Sequence, residues 1–109
     1  MGYYTHFEII VNNNEIIDKE IHEKLCEISG YNDWDYWTSS ITGHFKWYEN
    51  EHDMYELSML FPDKVFTVTG NGEESNDIWR NYWKNGKFCD ANRRIVYDEY
   101  DESKLEEWN

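Results

Sequence analysis

Polar and apolar positions alternate from Thr5 to Val11, with Phe7, Ile9 and Val11 on one side and His6, Glu8 and Ile10 on the other. A period of two marks a half-buried strand. The run Asn12-Asn13-Asn14 ends it. From Glu15 to Ser29 the spacing changes, and Ile17, Ile21, Leu25 and Ile28 recur at helical intervals, with Asn14 placed to cap the start and Gly30 placed just past the end. Tyr31 to Ser40 reads as an aromatic, polar connection. Alternation returns in Ile41, Phe45 and Trp47 against Thr42, His44, Lys46 and Tyr48, which predicts a second strand.

Asn50 is placed to cap a second helix with an apolar stripe of Met54, Leu57, Leu60 and Phe61, and Pro62 closes it. Lys64 to Thr69 is a third strand, rich in β-branched and aromatic residues, and the stretch from Gly70 to Asn76 has the composition of an open loop. Asn85-Gly86 then joins two strands, Ile78 to Lys84 and Lys87 to about Tyr97, because both central residues of a type I′ turn need positive φ. The predicted order is β-α-β-α-β-β-β. Two helices with one apolar stripe each must cover the same side of a sheet, so the expected fold is an α+β two-layer sandwich. Its sheet has four to five strands, antiparallel or mixed. Residues 1–97 form one domain, and residues 98–109 an acidic tail or short terminal helix with Ser103 and Glu106 at capping-box spacing.

Charge changes this picture most. The chain has 23 acidic against 10 basic side chains, a formal net charge of −13, and 18% of its 109 residues are aromatic. An acidic chain poor in aromatics would not bury enough surface to fold, whereas this one has the material for a core. A folded body of that charge repels phosphate backbones, anionic lipids and nucleotides, and attracts basic surfaces at low salt. Direct nucleic-acid binding is therefore not expected. No apolar run approaches the roughly 20 residues of a membrane span. The start Met1-Gly2-Tyr3-Tyr4 has neither a basic nor an apolar leader region, so a reducing cytoplasm is the expected compartment for Cys26 and Cys89.

Candidate chemistry is sparse. His22 and Cys26 lie four apart on the first helix, a metal-ligand spacing, but no CxxC or HExxH supplies a second pair, so they read as solvated face residues. Glu49, Glu51, His52, Asp53 and Glu56 gather at the start of the second helix without a nucleophile beside them. The loop glycines Gly70 and Gly72 precede Glu73 and Glu74, whose charge opposes phosphate. No cofactor and no catalytic residue is assigned. The aromatics Tyr31, Trp34, Tyr36 and Trp37 have two readings, a lid on the core or an aromatic-lined pocket for a neutral or cationic ligand, with the lid preferred.

The carboxylates remain. Glu20, Glu23 and Glu27 project within one sector of the first helix, a row of like charges that does nothing for folding. The tail repeats the theme in Asp98, Glu99, Asp101, Glu102, Glu106 and Glu107, with Leu105 and Trp108 as apolar anchors. Such rows serve solubility, or they stand in for a phosphate backbone in an arginine-lined groove.

The block Phe45 to Met54, followed by Leu57-Ser58, Phe61-Pro62, Gly70 to Glu74, Asp77-Ile78-Trp79 and Tyr82 to Lys87, resembles small proteins encoded by phages and prophages that look like ferredoxin-related α+β domains. The likeness covers roughly residues 45 to 90 and brings no catalytic residues with it. A ferredoxin-like βαββαβ order would require two strands between Trp37 and Tyr48, broken at Gly43. The resemblance implies a phage-encoded inhibitor acting in the host cytoplasm, of anti-CRISPR or other counter-defence type. As a non-enzymatic monomer or small homo-oligomer, it would dock on a basic, nucleic-acid-binding surface of a host protein. The expected contact residues are Glu20, Glu23, Glu27, Glu73, Glu74, Asp98, Glu99, Asp101, Glu102 and Trp108.

Overall fold

Strand β1 (Thr5–Val11) runs through the middle of the sheet, with Thr5, Phe7, Ile9 and Val11 buried and His6 and Glu8 exposed, as its alternation requires. The computed structural model describes residues 3–74, 76–91 and 102–105. Within them, α1 (Lys19–Ser29), β2 (Asp35–Tyr36), β3 (Ile41–Phe45), α2 (Asn50–Leu60), β4 (Phe66–Gly72), β5 (Ile78–Lys84) and β6 (Lys87–Ala91) follow β1. The strands form one sheet in the order β2-β3-β1-β4-β5-β6, and every neighbouring pair is antiparallel. Phe7 sits opposite Gly43 on one side and Gly70 on the other, and Ile9 opposite Ile41 and Val68.

The fold is thus α+β, with two helices and six strands among the described residues, against the four to five strands expected. Its first six elements interleave two β-α-β crossovers, β1-α1-β2 and β3-α2-β4. That is a split βαβ element order, with the β5–β6 hairpin added beside β4. The extra strand is β2. It lies upstream of the expected break, and Gly43 is inside β3, where an added Cβ would come within 2.2 Å of the Phe45 ring and 2.8 Å of Trp34.

Helix α1 begins at Lys19, four residues later than its periodicity suggests. Asn12 and Asn14 adopt φ of 54° and 62°, turning the chain, and the Asn12 side chain accepts from the Val65 backbone N–H and donates to Glu15. Ile17 then enters the core ahead of the helix, its N–H donating to Thr38 and its carbonyl accepting from the Tyr36 hydroxyl. Gly30 ends the helix at φ 80°, its N–H on the Cys26 carbonyl. In α2, Met54 and Leu57 face inward, whereas Leu60 is exposed and Phe61 half-buried, so the apolar stripe is shorter than expected.

Gly70, Asn71 and Gly72 belong to β4 and not to an open loop. The glycines are there for space, since a Cβ on Gly70 would lie 2.2 Å from two ring atoms of Trp79. The hairpin turn has φ 48° at Asn85 and 75° at Gly86, the two positive values a type I′ turn needs, and the Gly86 N–H donates to Ser58 of α2. Both helices cover one side of the sheet. No helix among the described residues is long and apolar enough to cross a membrane.

Candidate functional site

Burial of Ile21 and Leu25 turns Glu20, Glu23 and Glu27 of α1 to solvent, about 10 Å from first to last along the axis. Lys24 pairs with Glu27 at 3.5 Å, an exposed contact of little energetic weight. Helix α2 packs beside α1 and exposes Glu51 and Glu56, the latter 3.4 Å from His52. The outer side of the helix layer is therefore lined with carboxylates. Because α1 runs back toward the start of β1 and α2 leaves the end of β3, Glu27 and Glu51 lie at the end of the sheet where β4 finishes.

Glu73 and Glu74 are at that same end, but part of their hydrogen-bonding capacity is committed. The Glu73 carboxylate accepts the Tyr4 backbone N–H at 2.8 Å, and the Tyr3 hydroxyl accepts from the Glu74 N–H while donating to Asp77. Glu20 stands at the opposite end of α1, so the carboxylates form a row leading toward an acidic end and not one compact cluster. Glu102 and Leu105 are exposed around a short 3₁₀ turn, Glu102–Lys104. Asp98, Glu99, Asp101, Glu106, Glu107 and Trp108 lie outside the described residues.

Bases go elsewhere. Trp79, Asn81 and Trp83 face the helix side of β5, so Arg80 and Lys84 face away, with Lys87 directly across from Lys84. Lys46 joins them on the open side of the sheet, 5.0 Å from the centre of the Tyr4 ring, which stacks on His44. Arg93 and Arg94 are outside the described residues.

Of the four aromatics in the connection, Trp34 is buried, its indole N–H on Ser29 and its ring edge-on to Phe45 and Trp47. Tyr31 stacks on Phe45 at 4.3 Å and donates to the Lys46 carbonyl, and Tyr36 donates to Ile17. Trp37 alone of the four is largely exposed, at 61%, with its N–H on Thr42. This connection also covers His22 and Cys26, which are half-buried and not solvated. His22 Nε2 lies 2.9 Å from the Trp34 carbonyl and 3.8 Å from Cys26 Sγ, and burial pushes the Cys26 thiol up from its ordinary pKa.

His52, Asp53 and Glu56 bring three ligand atoms within 4.8 Å of one another, yet each is accounted for. Asp53 is buried and accepts the Trp47 indole N–H at 2.7 Å, tying α2 to the end of β3. Burial raises the Asp53 carboxyl above its ordinary 3.8, with the Trp47 hydrogen bond pulling the other way. The folded chain therefore holds this proton more tightly than the unfolded one. Its contribution to stability is greatest at acid pH and declines as pH rises from 3.8 through the folded value. Asp53→Asn, which keeps an acceptor for Trp47, is expected to flatten that decline in urea unfolding free energies measured between about pH 4 and 7.

Sequence reasoning missed a cleft between the start of α2 and the hairpin, lined by Asn50, Glu51, Trp79, Asn81 and Asp90. One signal was present: Asn81 is a polar residue at an inward position of a strand, between two tryptophans. No family model matches the chain, and comparison with curated proteins and with solved structures finds no match.

Proposed function

We propose that the chain is a non-enzymatic acidic binding protein that sets its helix layer on a basic, nucleic-acid-binding surface of a host protein. A phage-encoded inhibitor of the anti-CRISPR or other counter-defence type would act in this way in the host cytoplasm. The observation that carries the reading is an uneven distribution of charge. Glu20, Glu23, Glu27, Glu51 and Glu56 are exposed on the helices and outnumber Lys19 and Lys24 there, while Arg80, Lys84, Lys87 and Lys46 outnumber Glu8 on the open side of the sheet. Gathering like charge on one side focuses the field that a formal charge of −13 produces and steers a basic partner to the helix layer.

The experiment is a pull-down with the full chain from bacterial lysate at low and high salt. A partner whose basic surface binds nucleic acid should be retained at low salt, released by salt, and displaced by added DNA or RNA. Retention that is indifferent to both salt and nucleic acid would count against the reading.

A further inference from the structure

The cleft beside α2 has chemistry that the acidic surface does not explain. Asn81 is only 4% exposed, and its Oδ1 accepts the Trp83 indole N–H at 2.9 Å. An indole N–H can only donate, so this bond fixes the amide with its NH₂ at the other end. Among the described residues nothing accepts a hydrogen bond from that NH₂, and no fully enclosed polar atom there lacks a partner. The Asn81 amide therefore opens onto the cleft it lines, a cavity of about 270 Å³. Trp79 lines the same cavity. Of the five described tryptophans it is the one whose indole N–H meets no acceptor among the described residues, the other four donating to Ser29, Thr42, Asp53 and Asn81. Asp90 stands directly across the ladder from Asn81, and Asn50 and Glu51 come from the first turn of α2.

These groups select a ligand by elimination. An anion would meet Glu51 and Asp90 within a field of the same sign. An ammonium or guanidinium would suit the carboxylates but can only donate, and would face the Asn81 NH₂. An apolar ligand would leave that NH₂ unpaired. A hydroxyl accepts from Asn81 and donates to a carboxylate, and a ring of carbons bearing hydroxyls offers a flat C–H face to the Trp79 indole. The volume is just below the usual range of small-molecule sites, about 300–1,000 Å³, and suits one ring. We propose that this cleft binds an uncharged, polyhydroxylated ligand, a single saccharide ring.

The test is a ¹⁵N–¹H titration of the full chain with D-glucose, D-galactose and N-acetyl-D-glucosamine, with argininamide and sodium phosphate as charged controls. At least one sugar should shift the Trp79 indole and Asn81 side-chain resonances saturably, and the controls should not. Asp90→Ala, at an exposed position, should weaken that sugar about tenfold, the value of one hydrogen bond to a charged group. Asn81→Asp, which keeps the acceptor for Trp83 but loses the donor, should abolish it. Reversal of Glu20, Glu23 and Glu27 to lysine should leave it unchanged, which separates this site from the docking surface. No saturable shift with any sugar, shifts centred elsewhere, an undiminished affinity in Asp90→Ala, or occupancy by argininamide instead would overturn the proposal.

Discussion

Phe7→Ala is expected to cost about 3–5 kcal/mol of stability, a large share of what a domain of this size has. Phe7 is 2% exposed on the central strand, opposite two glycines, and its ring is met by three tryptophans, Trp47 at 5.1 Å, Trp79 at 6.0 Å and Trp34 at 6.2 Å between centroids. These rings come from the aromatic connection, the end of β3 and the hairpin strand β5, so one truncation loosens three parts of the chain together. Rigid indoles close such a cavity poorly. At roughly 4–8 °C per kcal/mol, the melting midpoint should fall by at least about 12 °C. Glu8→Ala, the next residue but on the open side of the sheet, should change stability by no more than about 0.5 kcal/mol. Equal losses in the two variants, read by thermal or urea unfolding, would mean that the sheet is not packed on this side.

Gly70→Ala is the second large effect, arising from a single added methyl group. Its Cβ would lie 2.2 Å from Cε2 and Cζ2 of Trp79, far inside contact distance, and Trp79 is itself packed edge-on to Phe7. Either β4 or the indole must move, at a cost of about 1–3 kcal/mol. Displacement of the indole would also deform the cleft that it lines. The double variant Gly70→Ala with Trp79→Leu should be closer to Trp79→Leu alone than additivity predicts, because the smaller side chain relieves the overlap. Strict additivity would show that the glycine matters only for its backbone freedom.

What could be read from the chain was what local physics decides. Alternation in Thr5–Val11 marked β1, Asn85-Gly86 marked the hairpin, and Gly30 marked the end of α1, each confirmed by burial or by positive φ. The strand β2 has two residues, too few for any period to register. The delayed start of α1 depends on Val65, 53 positions away, which holds Asn12 in its turn. Gly70 and Gly72 read as a loop because composition does not say that Trp79 will need the space.

The candidate sites divide in the same way. Helical spacing was enough to place Glu20, Glu23 and Glu27 on one exposed side. It could not show that Glu73 holds the Tyr4 N–H, or that Trp34 and Tyr31 are drawn into the core by Phe45, since those are contacts between distant segments. The cleft was hidden for the same reason, because Asn50 and Asn81 meet only once α2 packs against β5.

The most direct test of the docking account is the association rate of the captured partner with the unmodified chain and with the Glu20→Lys, Glu23→Lys, Glu27→Lys variant. The account predicts an association rate at least about tenfold lower for the variant at low salt, a shallower dependence on salt, and an unchanged melting midpoint, since these side chains make no buried contact. Unchanged association and dissociation rates at physiological salt would contradict it and leave the row of carboxylates as a device for solubility.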